Sequence, residues 1–209
     1  MNSAARWSWF FGAWLILWLG SAQGATTQQP TILVFGDSLS ASYGILQEQG
    51  WVSLLQERLK QRELPHQVVN ASVSGETTDG GLRRLTSVLE RHNPSLVILE
   101  LGGNDGLRGF PLKVIERNLN QMIEAIQAAE AQVLLVGMRI PPNYGTRYTE
   151  GFHGLYQRLA QDKAIALVPF MLEQVAVKPE LMQDDRIHPR AEAQPLILDN
   201  IWPHLKPLL

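Results

Sequence analysis

Short apolar runs alternate along the chain with segments in which apolar residues recur every three or four positions. The runs predict strands at residues 31–35, 68–69, 96–101, 133–136 and 164–168. Helical spacing predicts helices around residues 51–59, 82–89, 112–126, 155–159 and 197–205. Apolar strands that alternate with helices indicate a parallel sheet covered on both faces. Five strands in about 180 residues fit a three-layer, doubly wound α/β domain better than an eight-stranded barrel, which needs more chain.

The first 24 residues differ from this pattern. A short start that contains Arg6 precedes an uncharged apolar run at residues 9–19, and small residues follow at positions 21–25. This order is typical of a secretory signal peptide, and the apolar run is shorter than the ~20 residues of a membrane-spanning helix. We therefore expect a signal peptide at residues 1–24 and one domain at residues 25–209. We also expect export, to the bacterial periplasm or outside the cell, with no stable membrane anchor after cleavage.

Charge and composition exclude several classes of function. The chain has 18 basic and 20 acidic residues and a formal net charge of −2, so it offers no electrostatic basis for binding nucleic acid. It has no cysteine, which excludes thiol nucleophiles, cysteine metal sites and disulfides. The histidines at positions 66, 92, 153 and 204 lack metal-ligand spacing. We expect neither a metal nor another cofactor.

Unusual polar clusters follow the predicted strands, at the edge where open parallel sheets bind ligands. They are Gly36-Asp37-Ser38-Leu39, Ser74-Gly75-Glu76, Gly102-Gly103-Asn104-Asp105 and, before the last helix, Asp185-Arg186-Ile187-His188. Taken singly, each cluster has an ordinary explanation as a turn or a helix cap. Together they supply a nucleophile, an imidazole, a carboxylate three residues before it and candidate oxyanion donors. Their coincidence at one edge favours catalysis.

In this order the four clusters resemble the conserved blocks of the SGNH, or GDSL, hydrolases. The longer stretches at residues 35–44 and 101–109 resemble, within that family, the periplasmic thioesterase/protease/lysophospholipase group and the bacterial arylesterases. The resemblance spans nearly the whole mature chain. It implies a flavodoxin-like sheet with strand order 2-1-3-4-5, an order that periodicity alone does not give.

The predicted chemistry is that of an activated serine. A serine hydroxyl needs a base to take its proton as it attacks, and His188 is the expected base for Ser38, with Asp185 orienting the imidazole. By resemblance, the oxyanion hole consists of the backbone N–H groups of Ser38 and Gly75 and the side-chain amide of Asn104. The Gly-x-Ser-x-Gly elbow of α/β-hydrolases is absent.

Two further carboxylates in these clusters, Asp37 and Asp105, are expected to brace loops as hydrogen-bond acceptors.

The expected activity is hydrolysis of carboxylic esters and thioesters of acyl chains, with small-molecule acyl esters or lysophospholipids as substrates. Apolar side chains in the loops after the third and fourth strands favour acyl groups, and we predict that Leu107, Phe110, Pro142 and Tyr144 bind substrate. An alternative is that Leu107 and Phe110 pack onto the following helix instead. Two other functions stay open: a carbohydrate O-deacetylase of the same fold, and a flavodoxin-like binding module without catalysis.

Overall fold

A five-stranded parallel sheet forms the centre of the domain. The computed structural model describes residues 29–209 together with Met1, so the predicted signal peptide lies outside the described residues. The strands are β1 (Thr31–Gly36), β2 (Gln67–Asn70), β3 (Leu96–Glu100), β4 (Gln132–Val136) and β5 (Ala166–Val168). Their order in the sheet is β2-β1-β3-β4-β5, and every neighbouring pair is parallel. The predicted fold class and the strand order implied by the resemblance are confirmed.

Helices cover both faces of this sheet. They are α1 (Trp51–Gln61), α2 (Thr78–His92), α3 (Gly103–Leu107), α4 (Leu112–Ala128), α5 (Thr146–Lys163) and α6 (Gln194–Leu205). Short 3-10 turns lie at Gln47–Gln49, Pro142–Tyr144, Pro179–Leu181, Ala191–Ala193 and Lys206–Leu208. Among the described residues, no helix is both long enough and apolar enough to cross a membrane.

Two apolar layers explain why the strands are apolar throughout. Successive side chains of a strand point to opposite faces. In β1, Leu33 and Phe35 pack into the layer that contains α2, α4 and α5. Ile32 and Val34 pack into the layer that contains α1 and α6. All four side chains are fully buried, so neither face of β1 tolerates polar residues without a partner.

The structure differs from the sequence prediction at several boundaries. β5 begins at Ala166 rather than residue 164, because Ala164 adopts a left-handed conformation (φ 51°) that ends α5. α5 begins at Thr146 rather than at residue 155. Its first turns are not part of the predicted helix because they are mostly polar and their apolar periodicity is weak. α3 was not predicted, because its sequence Gly-Asn-Asp-Gly-Leu is typical of a turn. This short helix places Asn104 at the sheet edge.

Candidate active site

The structure brings Ser38, His188 and Asp185 together at the carboxyl edge of the sheet. Ser38 lies in the turns that directly follow β1. Its Oγ is 2.9 Å from Nε2 of His188, and Nδ1 of His188 is 2.6 Å from Oδ2 of Asp185. When Nδ1–H donates to Asp185, Nε2 is left to accept the Ser38 hydroxyl proton. The geometry therefore suits proton transfer from serine to histidine.

Asp185 is held as a carboxylate by its own loop. Its Oδ1 accepts hydrogen bonds from the backbone amides of Ile187 and His188, at 2.9 and 3.0 Å. Partial burial raises the pKa of Asp185, but these amides and the His188 ring outweigh that effect and bring the pKa to about 2. Asp185 is thus ionised at neutral pH and can orient a protonated or neutral imidazole.

The loop that carries both residues is closed on itself and tied to the nucleophile turn. The backbone amide of Gln183 donates to the backbone carbonyl of His188 at 2.7 Å, and Met182 and Pro189 form an antiparallel bridge at the base of the loop. The Gln183 side chain donates to the carbonyls of Pro189 and Tyr43, at 3.1 and 2.8 Å. Sequence reasoning missed Gln183, since a glutamine carries no signal before its partners are known.

The expected oxyanion donors lie in the turns after β1, in the loop after β2 and in α3. Gly75 has a φ of 78°, and an added Cβ would meet no atom within 4 Å, so the backbone conformation rather than crowding favours glycine there. Arg108, which follows α3, donates to the Gly75 carbonyl at 3.4 Å. The Asn104 side-chain Nδ2 donates to Oδ2 of Asp37 at 3.1 Å. Asn104 is therefore linked to the residue that precedes Ser38.

Asp37 and Glu100 form a buried acidic pair beneath the nucleophile turn. Asp37 accepts from the Leu39 amide and from Asn104, and burial is the main cause that raises its pKa to about 6. Glu100 is fully buried, with its Oε2 accepting from the Ser40 hydroxyl at 2.6 Å and the Asp37 amide at 3.1 Å. Burial and the neighbouring Asp37 charge raise the pKa of Glu100 well above its usual range.

Asp105 links α3 to the start of α2. Its carboxyl oxygens accept from the Thr78 amide at 2.9 Å and the Thr78 hydroxyl at 2.6 Å, and Asn118 of α4 donates to the same hydroxyl at 3.1 Å. Burial raises the pKa of Asp105, against the hydrogen bonds from Thr78. Both Asp37 and Asp105 thus accept hydrogen bonds between loops, in the bracing position expected from the sequence.

The two loops with apolar side chains are joined by tyrosine hydroxyls. Tyr144 donates to the Leu107 carbonyl and Tyr148 to the Phe110 carbonyl, each at 2.7 Å. Leu107 and Phe110 are half-buried and pack against the core layer that contains α4, as in the alternative reading of these residues. Pro142 and Tyr144 are exposed.

The remaining histidines lie away from this arrangement. His153, for example, contacts the Met138 carbonyl and the Arg139 guanidinium, each at 3.3 Å. Within residues 29–209, no three histidine or carboxylate side chains are grouped as a metal site.

Comparison with known proteins assigns the family. Residues 34–195 match the GDSL-like Lipase/Acylhydrolase family. The chain is 51% identical to Esterase TesA of Pseudomonas aeruginosa, over 86% of this chain and 89% of that protein. It is 43% identical to Thioesterase 1/protease 1/lysophospholipase L1 of Escherichia coli K12, over 100% of this chain and 96% of that protein.

Solved structures agree with this assignment. The crystal structure of TesA has a TM-score of 0.84 at 51% identity and covers 86% of this chain and 99% of its own. The psychrotrophic esterase EstA from Pseudoalteromonas sp., solved with monoethylphosphonate as inhibitor, has a TM-score of 0.82 at 45% identity, over 85% of this chain and 97% of its own. The chain therefore belongs to the GDSL-like lipase/acylhydrolase family, and it is an SGNH-type serine ester hydrolase.

Proposed function

We propose that this protein is an exported esterase that hydrolyses carboxylic esters and thioesters of acyl chains through an acyl-enzyme on Ser38. The observation that carries the proposal is the continuous hydrogen-bonded series from Asp185 through His188 to Ser38, with separations of 2.6 and 2.9 Å. His188 takes the hydroxyl proton as Oγ attacks the carbonyl carbon. Asp185 fixes the tautomer of His188 and stabilises the imidazolium that forms.

The attack turns the carbonyl oxygen into an oxyanion, which needs donors already in place. The Ser38 and Gly75 backbone N–H groups and the Asn104 amide are the proposed donors. One N–H of the Asn104 amide is occupied by Asp37, and an amide group has two. The second N–H is thus available to the oxyanion, in an orientation that the first bond sets.

Collapse of the tetrahedral intermediate releases the alcohol or thiol, which takes its proton from the His188 imidazolium. The acyl group stays on Ser38 Oγ as an ester. Water then attacks this ester with His188 again acting as base, and a second collapse releases the carboxylic acid and restores the Ser38 hydroxyl.

Apolar acyl chains are the proposed substrate class. Leu107 and Phe110 lie within six residues of Asn104, and Tyr144 bonds directly to the Leu107 carbonyl. With Pro142, these side chains are the proposed acyl-binding set. The names of the relatives, which include esterase, arylesterase and thioesterase/lysophospholipase, support esters and thioesters of such chains. A lysophospholipid is one small-molecule substrate of this class.

Export rests on the composition of residues 1–24, with their basic start, apolar centre and small-residue end. Mass spectrometry of the protein recovered from the periplasmic fraction of a bacterial host should give an amino terminus near residue 25. Recovery of the intact chain from the cytoplasm alone would contradict export.

The nucleophile is tested by a serine-directed phosphonate together with a Ser38→Ala variant. The phosphonate should label the wild-type protein once, at Ser38, and leave Ser38→Ala unlabelled and inactive although folded. Ser87→Ala, which changes an exposed serine of α2, is the matched control and should be labelled normally. Labelling of another serine with Ser38 unmodified would overturn the assignment.

A further inference from the structure

Glu100 has no part in the steps above, although it forms a buried acidic pair with Asp37, the residue that precedes the nucleophile. The two side chains are 2% and 0% exposed. Oε2 of Glu100 accepts two hydrogen bonds, from Ser40 and the Asp37 amide. Oε1 of Glu100 is buried and receives no hydrogen bond from residues 29–209. A buried carboxylate oxygen without a donor is costly, whereas a protonated carboxyl group can use that oxygen as a donor itself.

The ionisable residue beside Glu100 is Asp37, whose backbone amide donates to Oε2 of Glu100 at 3.1 Å. Burial raises the pKa of both carboxyl groups, and the Asp37 charge raises that of Glu100 further. Two adjacent buried carboxyl groups do not both ionise, and Glu100 is the more deeply buried of the two. The proton therefore resides on Glu100.

The negative charge that remains on Asp37 allows its side chain to accept hydrogen bonds from two parts of the active site. Oδ1 of Asp37 accepts from the Leu39 amide, next to the nucleophile, and Oδ2 accepts from the Asn104 side chain, each at 3.1 Å. Asp37 thereby connects the nucleophile turn to the loop after β3. A neutral Asp37 would keep only one carbonyl-type oxygen and could not accept from both partners equally well.

We propose that Glu100 is a protonated positioning residue, which holds the Asp37 backbone amide and leaves the Asp37 side chain as the ionised acceptor that aims the Asn104 amide at the oxyanion. This inference rests on the oxyanion role of Asn104 in the proposed function. Glu100 acts through Asp37 and Asn104 and does not touch the substrate.

Two other ionisable groups act on the pair. His188 faces Asp37 and lowers its pKa. Tyr156 of α5 donates to the Leu101 carbonyl at 3.0 Å, and burial raises the Tyr156 pKa well above its usual range. Tyr156 therefore stays neutral.

The protonation state is tested by infrared spectroscopy at pH 8, where ordinary carboxyl groups are ionised. The wild-type protein should show the carbonyl stretch of a buried carboxylic acid, and Glu100→Gln should lack it. Glu57→Gln, which changes an exposed residue of α1, is the control and should keep the band. Absence of the band from the wild type, or its persistence in Glu100→Gln, would overturn the proposal.

The positioning role is tested by kinetics. Glutamine is neutral and can accept from the Ser40 hydroxyl and the Asp37 amide as Glu100 does, so Glu100→Gln should lose no more than about threefold in kcat, while Glu100→Ala should lose about tenfold or more. An equal, large loss in both variants, with both folded, would overturn the proposal.

Asp37→Asn removes the charged acceptor with little change in shape. It should lower kcat roughly 10²-fold with a smaller change in KM, as expected for a lost transition-state interaction. Combined with Asn104→Ala, it should lower kcat by no more than about threefold beyond Asn104→Ala alone, because coupled residues are not additive. Full additivity would overturn the coupling. An unchanged kcat in Asn104→Ala would instead overturn the oxyanion role in the proposed function, and the infrared band then decides the Glu100 proton separately.

Discussion

The ring of Tyr43 lies against the imidazole of His188, with ring centroids 4.4 Å apart and ring planes inclined by 39°. Tyr43 belongs to the turns after β1 that also carry Ser38, and about half of its surface is exposed. The aromatic rings of Tyr43 and His188 are therefore in contact beside the nucleophile. This contact limits rotation of the His188 ring, which must keep its hydrogen bonds to Asp185 and Ser38.

Removal of this ring should weaken catalysis without abolishing it. An aromatic pair contributes about 0.5–1.5 kcal/mol beyond burial, so Tyr43→Ala should lower kcat/KM roughly 2- to 10-fold. Tyr43→Phe should retain the wild-type value. Leu46→Ala, an exposed apolar side chain nearby in sequence, is the control for loss of surface hydrophobicity. If Tyr43→Phe were as impaired as Tyr43→Ala, the hydroxyl rather than the ring contact would be responsible.

Loss of the Asn104 amide should act mainly on the transition state. Removal of one oxyanion donor costs roughly 10²–10³-fold in kcat, about 3–4 kcal/mol, and we expect Asn104→Ala to fall in this range with a smaller change in KM. Asn120→Ala, on α4, where the side chain donates to Glu124 at 3.0 Å, is the control. Steady-state kinetics with one p-nitrophenyl ester suffices. A normal kcat would mean that Asn104 serves α3 and the loop alone.

Acyl-chain preference should depend on the loop after α3. Each methylene buried by the acyl chain contributes about 0.8 kcal/mol, so kcat/KM should rise from acetate to medium or long esters until the groove is filled. Leu107→Ala and Phe110→Ala should flatten this rise more than they reduce acetate hydrolysis. The measurement is kcat/KM for p-nitrophenyl esters from about two to twelve carbons in the three proteins.

Parallel profiles in all three proteins would show that Leu107 and Phe110 only pack against the core layer that they contact in the structure. A wild-type enzyme that is fastest on acetate would favour the carbohydrate O-deacetylase. Val177→Ala, an exposed apolar side chain outside these loops, is the matched control.

The buried acidic pair should make the fold less stable as the pH rises. Burial raises the pKa of Asp37 from 3.8 to about 6 and that of Glu100 well above 4.5. A carboxyl whose folded pKa is raised stabilises the fold fully below its unfolded pKa, and this contribution is lost as the pH rises through the folded pKa. The wild-type free energy of unfolding should therefore fall from pH 5 to 8, by up to about 1.4 kcal/mol per pH unit for one such group.

Glu100→Gln removes one of the two groups and should show a shallower fall, measured by urea unfolding at each pH. Glu57→Gln should follow the wild-type curve. A Glu100→Gln curve parallel to the wild type would mean that Glu100 does not hold a proton differently in the folded and unfolded states.

The apolar pattern predicted the strands and most helices, because burial on both faces of the sheet requires apolar residues at nearly every position of β1, β3 and β4. It failed where conformation depends on one backbone angle. Ala164 has a φ of 51°, a left-handed conformation that an alanine in the sequence does not indicate. The predicted start of β5 at residue 164 is therefore two residues too early. α3 has two glycines in five residues, and its helical form comes from tertiary contacts such as those of Asp105 with Thr78.

For the candidate site, local spacing identified Asp185 and His188, since three residues suffice for a loop to bring them together. His188 and Ser38 are 150 residues apart in sequence, so their contact depends on the order of the strands. Only the family resemblance supplied that order. Glu100 was visible as a single acid in an apolar strand, but its pairing with Asp37 requires the register in which Gly36 lies opposite Glu100.

The closed loop at residues 183–189 has a consequence for motion. Because Asp185 and His188 are bound to each other and to the loop's own amides, the loop can shift as one body without disturbing the tautomer of the base. Within residues 29–209, such a shift would alter two hydrogen bonds to the nucleophile turn: His188 to Ser38 and Gln183 to the Tyr43 carbonyl. A movement of this loop would therefore change the distance between Nε2 of His188 and Oγ of Ser38, while Nδ1 of His188 keeps Asp185 as its partner.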